Sequence, residues 1–190
     1  MFNNKKIFSL LILLVAVYCS PFDVNAQRRD HLTEQEVELV REAQQIDLRM
    51  KVFVKAIDRR FLALKADASQ AKQIEKDSEL WGELPVGTRL QLLIDIEKLL
   101  DEAISKIDDV AARDMKSDFF PKAVRILSGG ANRFLPQLKA QLDNATDEKE
   151  KGAIITAIEF CNQIIQASGK VPKEEPKTDK KKKPKDDSDN

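Results

Sequence analysis

Cysteine, histidine, glycine and the larger aromatic residues are scarce in this sequence. Its 190 residues include two cysteines, one histidine, one tryptophan, one tyrosine and six glycines. Two cysteines exclude a disulfide-rich scaffold, and one histidine excludes zinc sites built from several imidazoles. Six glycines exclude a glycine-rich fibre. The length and composition are those of a single ordinary globular domain.

Motifs that carry a catalytic mechanism are also missing. The glycines at 129–130 are followed by Ala131, Asn132 and Arg133, whereas a phosphate-binding loop needs Lys and then Ser or Thr. We therefore interpret residues 128–130 as a kink or loop between helical pieces. The acidic pairs at 101–102 and 108–109 point about 100° apart on a helix, so we assign them to a solvated face.

The longest apolar run lies at the N-terminus. Lys5 and Lys6 precede an apolar stretch over residues 7–18, and the small residue Ala26 ends the polar segment behind it. This order is typical of a secretory signal peptide, and we predict cleavage after Ala26. The run is shorter than the roughly 20 residues that a membrane anchor needs. A lipoprotein with Cys19 as the lipidated residue is the alternative, although Tyr18 stands where a small residue is preferred.

The remaining sequence begins with a long predicted helix. Thr33 and Glu36 form a capping-box pattern, and apolar residues then recur every three or four positions without an interrupting glycine or proline. We predict one continuous helix from about Glu34 to near Asp67, about 50 Å long at 1.5 Å per residue. Its apolar stripe consists of Leu39, Ala43, Ile46, Met50, Phe53, Ile57, Phe61 and Leu64.

A turn and a second helix follow. Residues 81–87 contain two glycines and a proline, which predict a turn, and a short helical piece is predicted before it near residues 70–80. Thr88 and Gln91 repeat the capping-box pattern. We predict that the second helix ends close to Asp114, with an apolar stripe formed by Leu93, Ile96, Leu100, Ala103, Ile107 and Val110.

A third helix is predicted to begin near residue 118. Asp118 is its candidate N-cap, and Pro121 is tolerated in the first turn. The apolar stripe stays in phase through residues 128–130 and past Pro136, which predicts one kinked helix or two collinear pieces. The stripe consists of Val124, Leu127, Ala131, Leu135, Leu138 and Leu142.

The fourth predicted helix follows a break at residues 143–146. Asp147 and Glu148 place negative charge in its first turn, where the helix dipole favours it, and Gly169 is the candidate C-cap. The apolar stripe consists of Ile154, Ile158, Cys161 and Ile165.

The composition changes abruptly after Gly169. Residues 170–190 hold eight lysines, six acidic residues, three prolines and a single aliphatic side chain, Val171. Such a segment cannot bury enough apolar surface to offset the entropy of ordering, so we predict a disordered, solvated tail. Weak contact with an anionic envelope surface is the alternative role for its lysine run.

Two features are candidate sites. His31 with Glu34 and Glu36 could resemble a metal cluster, but a two-metal site in a helical bundle needs Glu-x-x-His pairs from facing helices, and the sequence has one histidine. Cys161 could be a nucleophile or pair with a second copy of the chain, but its helix-face neighbours Ile158 and Ile165 favour a buried thiol that packs as a small hydrophobe. We therefore predict no catalytic, cofactor-binding or metal-binding residues.

These observations predict an all-α protein, an antiparallel bundle of about four helices with a kinked third helix and a disordered C-terminal tail. Its parts are a signal peptide at 1–26, a helical domain at 27–169 and the tail at 170–190. We expect an exported, secreted or periplasmic protein that is not an enzyme and has no transmembrane segment after processing. Its expected role is interaction or structure in the cell envelope, through a protein partner or self-association and without nucleic acid. A bundle that binds a small ligand or metal is the alternative.

Overall fold

The described part of the chain is helical throughout and contains no strand. The structure, a computed structural model, describes residues 30–65 and 78–171. The predicted signal peptide, most of the helical piece near 70–80 and nearly all of the tail lie outside these residues, although 78–81 are helical. The helices are α1 (Glu34–Glu42), α2 (Ile46–Lys65), α3 (Arg89–Asp114), α4 (Phe119–Asp143) and α5 (Glu148–Ser168), and they belong to one compact unit that begins at His31.

The prediction of one continuous first helix is wrong, because the chain leaves the helical path between α1 and α2. Ala43 closes α1 with a ψ of 79°. Two side chains next to this break donate hydrogen bonds to main-chain carbonyls at the end of α1. Gln44 donates from Nε2 to the carbonyl of Arg41 at 2.7 Å, and Arg49 donates from Nε to the carbonyl of Ala43 at 3.1 Å.

Burial of Glu36 against α2 explains the break. Its carboxylate lies 3.2 Å from the guanidinium of Arg59. In a straight helix these residues, 23 positions apart, would be separated by about 35 Å at 1.5 Å per residue. Only a chain that turns back can bring them together. The apolar stripe concealed this turn because Ala43 and Ile46, on either side of it, are both buried.

The two predicted capping boxes are confirmed, and the other predicted caps differ in detail. Thr33 with Glu36 and Thr88 with Gln91 each exchange the two reciprocal hydrogen bonds. Asp118 makes no side-chain cap bond. Instead Ser117 Oγ accepts from the Phe119 amide at 3.4 Å.

The last helix is capped at both ends. Asp147 is the N-cap of α5, and its carboxylate accepts from the amides of Lys149 and Glu150. Gly169 is the C-cap with a right-handed φ of −66°, so a left-handed conformation is not what places glycine there.

The four long helices pack around a shared apolar core. The predicted stripes supply most of the buried side chains, and several buried residues outside them complete the core. Helix α2 packs against α3 and α4, α5 also packs against α3 and α4, and α3 and α4 contact each other only slightly. The buried residues that the stripes omitted include Val54, Ala56, Leu99, Ala123, Phe134, Ala157 and Ile164.

Side-chain pairs fix the direction of each helix. Arg89 near the start of α3 meets Glu150 near the start of α5, so α3 and α5 run parallel. Ser128 in the first half of α4 donates to Ser168 at the end of α5, so α4 and α5 run antiparallel. Helices α2 and α4 are parallel, since their starts, middles and ends meet in order: Asp47 with Lys122, Asp58 with Arg133 and Lys65 with Gln137.

Helix α4 continues without interruption through residues 128–130 and past Pro136. Of the two interpretations of residues 128–130, a kink or a loop, the loop is therefore wrong. Gly130 is buried, and a Cβ there would lie 2.8 Å from Cγ2 of Val54 on α2, so the glycine permits close approach of the two helices. Pro136 lies inside the helix, and its exposed position leaves water able to satisfy the carbonyl that has no amide partner.

Candidate functional site

A cavity lies at the end of the bundle where α3 and α5 terminate and α4 begins. Its volume is about 490 Å³. The deepest lining residues, Val124, Leu127 and Ile164, are buried aliphatic side chains. The full lining consists of Ile104, Ile107, Asp108, Ala111, Met115, Phe120, Val124, Leu127, Gln163, Ile164, Ala167, Lys170 and Val171.

Small side chains at two lining positions leave this space open. Ala111 projects into the cavity from the last turns of α3, and Ala167 lines it from the last turn of α5. Larger apolar residues in the same helices, such as Ile104 and Ile164, form the surrounding wall. The cavity therefore exists because the side chains at positions 111 and 167 are too small to fill the space between the three helix ends.

Three polar side chains line the cavity, and all three are exposed. They are Asp108 on α3, Gln163 on α5 and Lys170 just beyond α5. Within residues 30–65 and 78–171, none of these side chains forms a hydrogen bond or ion pair with another residue. The cavity thus combines an apolar interior with one carboxylate, one amide and one ammonium at its opening.

Exposed apolar side chains surround the same end of the bundle. Met115, which also lines the cavity, is 65% exposed, and Phe119 at the start of α4 is 39% exposed. Leu48, 41% exposed, lies near the start of α2, which the Asp47–Lys122 pair places beside the start of α4. This end of the molecule therefore presents apolar surface as well as a cavity.

A second distinctive cluster, the Glu36 cluster, is formed by Glu36, Arg59 and Arg60. Its three side chains are 0%, 1% and 1% exposed. Glu36 Oε1 accepts from Arg59 Nε at 3.2 Å and also from Arg60 Nη1. One carboxylate is thus shared by two guanidinium groups in a buried site, where charges are retained only if they are paired.

The same arginines hold two other segments, at residues 81–83 and at His31, against α2. Arg59 donates from Nη2 to the carbonyls of Trp81, Gly82 and Glu83, and its guanidinium lies 5.7 Å from the centre of the Trp81 ring. Arg60 donates to the carbonyl of His31. Most of these bonds go to main-chain oxygens, although Arg60 Nε has no hydrogen-bond partner among the described residues. The cluster therefore has the contacts of a structural tie between α1, α2 and the turn before α3.

The residues considered as a metal cluster do not come together. The His31 ring lies 2.8 Å from a carboxylate oxygen of Glu102 on α3, whereas Glu36 faces the two arginines and Glu34 is exposed. Among the described residues, no three His, Cys, Asp or Glu side chains are arranged to hold a metal ion.

Cys161 is buried in the core, as its neighbours indicated. It is a free thiol with 0% exposure, and burial raises the pKa of the thiol to about 12. A thiol with that pKa is almost entirely protonated near neutral pH, and the thiolate is the nucleophilic form. Cys161 therefore packs as a small hydrophobe.

The acidic pairs on α3 have separate surroundings. Asp101 and Asp109 are exposed, in agreement with a solvated face, but Glu102 pairs with His31. Asp108 lines the cavity. The sequence could not single out Asp108, because its role depends on the ends of two other helices.

Between residues 30 and 65 and between 78 and 171, no helix has the length and apolarity that crossing a bilayer requires. No protein-family model, curated protein or solved structure matches this chain.

Proposed function

We propose that this protein is an exported, non-catalytic binding protein that holds the apolar part of a small ligand in the cavity between α3, α4 and α5. The observation that carries the proposal is the cavity itself. Its volume of about 490 Å³ falls among ligand pockets, which span roughly 300–1,000 Å³ and combine apolar walls with a few polar groups. Of the two roles that the sequence left open, the ligand-binding one gains this support.

Export is supported by the N-terminal sequence. The pair Lys5 and Lys6, the apolar stretch over 7–18 and the small residue Ala26 have the order of a cleaved signal peptide. We propose a secreted or periplasmic protein, with lipid attachment at Cys19 as the alternative. A mature mass that begins at Gln27 supports cleavage, and a mass that retains Met1 contradicts it.

The architecture proposed for the mature protein is a bundle of four long helices, α2 to α5. Consecutive long helices run in opposite directions in this proposal, which the pairs Ser128–Ser168 and Arg89–Glu150 support. We propose a bend in α4 at Pro136, where one hydrogen bond of the helix is lost. We also propose that the tail predicted at residues 170–190 acts as a solvated spacer beyond Lys170 and Val171, which line the cavity. Residues 172–190 contain no aliphatic side chain.

Filling the cavity tests the ligand-binding proposal. Ala111 lines the cavity, whereas Ala112 is exposed and does not, so Ala112→Trp is a matched control for Ala111→Trp. The measurement is the fluorescence of the neutral apolar probe N-phenyl-1-naphthylamine on titration with each protein. We expect Ala111→Trp to weaken binding about tenfold or more, since the indole occupies the space, and Ala112→Trp to bind like the unaltered protein.

Thermal unfolding shows whether both variants are folded before their affinities are compared. The proposal is wrong if the unaltered protein does not bind the probe. It is also wrong if the two folded variants bind it equally.

Self-association is the second candidate function, favoured by the exposed apolar residues Leu48, Met115 and Phe119 at the cavity end. A second copy of the chain would cover these side chains, since exposed apolar patches mark interaction sites. Sedimentation velocity over a range of concentrations tests this. A dimer that Met115→Lys disrupts supports the candidate, and a monomer at all concentrations excludes it.

A further inference from the structure

We infer that the ligand of the cavity is a single-chain amphiphile with a zwitterionic head group. The inference rests on the proposed function and adds the chemistry of the ligand to it. It follows from where the polar and apolar lining residues lie and from the absence of an ion pair between Asp108 and Lys170, the two charged residues among them.

The interior of the cavity fits an aliphatic chain. Val124, Leu127 and Ile164 are at most 5% exposed and have no polar side-chain atoms. The wall above them is also mainly aliphatic, with Ile104 and Ile107. A polar group in this interior would lose its hydrogen bonds to water without gaining a side-chain partner, so the buried part of the ligand is apolar.

The opening of the cavity fits a head group with both charges. Asp108 and Lys170 line the same cavity but are not paired with each other, since no ion pair joins them. An anion would be attracted by the Lys170 ammonium and repelled by the Asp108 carboxylate. A cation would be repelled by the ammonium and attracted by the carboxylate. A zwitterionic head can place each of its charges near the opposite side chain, with the amide of Gln163 as a further hydrogen-bonding group.

Four ligands with the same ten-carbon chain separate the effect of the head from that of the chain. Decylphosphocholine, 1-decanol, decanoate and decyltrimethylammonium are each used to displace N-phenyl-1-naphthylamine, below their micellar concentrations. We expect decylphosphocholine to bind about threefold or more tightly than each of the others, because contacts between exposed charges are individually weak.

Matched variants test the assigned side chains. Asp108→Asn leaves Lys170 as the sole charge among the lining residues, so we expect decanoate to gain about threefold relative to decylphosphocholine. Lys170→Gln should shift the preference toward decyltrimethylammonium in the same way. Asp109→Asn is the control, because Asp109 is exposed, outside the lining and adjacent to Asp108, and the same net charge is removed.

The outcomes separate this inference from the function on which it rests. If the unaltered protein does not bind the neutral probe, the proposed function fails. If the probe binds and Ala111→Trp blocks it, but decanoate, decanol or decyltrimethylammonium binds as tightly as decylphosphocholine, only the head-group inference fails. Equal behaviour of Asp108→Asn and Asp109→Asn also overturns the inference.

Discussion

Glu36 shows how strongly one buried carboxylate can determine local structure. It caps α1 through the bond from the Thr33 amide and at the same time faces Arg59 and Arg60 on α2. Removing one partner of a buried ion pair leaves a charge without compensation, which is far more costly than loss of an exposed pair. The interactions of Glu36 therefore matter more to stability than its position in a nine-residue helix indicates.

We predict that Glu36→Gln destabilises the protein by about 3 kcal/mol or more, because two buried guanidinium groups lose their counter-ion. Glutamine at this position preserves the capping box, so the loss reports on the charge. Glu38→Gln is the control, since Glu38 pairs with Arg41 at the surface and should change stability by less than about 1 kcal/mol. Urea denaturation measures both, and equal midpoints for the two variants would contradict the prediction.

At the scale of the element, helix α4 depends on a small residue where it crosses α2. Gly129 and Gly130 are adjacent in the sequence, but a Cβ on Gly129 meets nothing within 4 Å. A Cβ on Gly130 would lie 2.8 Å from Cγ2 of Val54 and 3.1 Å from the ring of Phe134. Valine is branched at Cβ and cannot move aside easily, so the two glycines have different requirements.

We predict opposite effects for alanine at these positions. Gly130→Ala should destabilise the protein by about 1–3 kcal/mol through overpacking, whereas Gly129→Ala should stabilise it by up to about 1 kcal/mol through helix propensity. Chemical denaturation gives the free energy of unfolding for each variant. A stabilising Gly130→Ala would contradict the close approach of α4 to α2.

The double variant Val54→Ala with Gly130→Ala provides a further check of this contact. Removal of the Val54 methyl groups makes space for the new Cβ, so the cost of the two changes together should be smaller than the sum of their separate costs. Additive costs would indicate that the two residues do not contact each other.

Helix α1 illustrates a general weakness of periodicity as a signal for helix ends. The apolar stripe runs through Ala43 and Ile46 without a change of phase, and both residues are buried. Periodicity records which side chains are buried, but two helices packed on the same core can continue one stripe across a bend. The bend here follows from the contact between Glu36 and Arg59, which lie 23 residues apart.

At the scale of the whole molecule, equal numbers of acidic and basic residues conceal an uneven distribution. Residues 27–169 carry 22 basic and 25 acidic side chains, and residues 170–190 carry eight basic and six acidic ones. The helical part is therefore mildly acidic and the C-terminal segment basic. Net charges as small as these affect solubility and association more than they affect the fold.

We predict that a chain ending at Val171 unfolds within about 2 °C of the full chain. Residues 172–190 contain no aliphatic side chain, so their removal should cost little buried apolar surface. Val171 is retained because it lines the cavity. A decrease of several degrees in Tm, measured by circular dichroism, would mean that the segment packs against the helical part.

The sequence alone determined the helical class of this protein, the positions of its capping boxes and most of its buried stripes. These features depend on residues within a few positions of one another, because helix caps and the period of 3.6 residues are local properties. Burial of Cys161 could be predicted for the same reason, from Ile158 and Ile165 on the same helix face.

Only the tertiary structure decided the break between α1 and α2, the continuity of α4, the Glu36 cluster and the cavity. Each depends on residues that are distant in the sequence: Glu36 meets Arg59, Gly130 meets Val54, and Asp108 lines one cavity together with the end of α5. The charge and size of a residue can be read from the sequence. Which distant side chain it meets is set by how the helices pack, since many contacts act together to choose one arrangement.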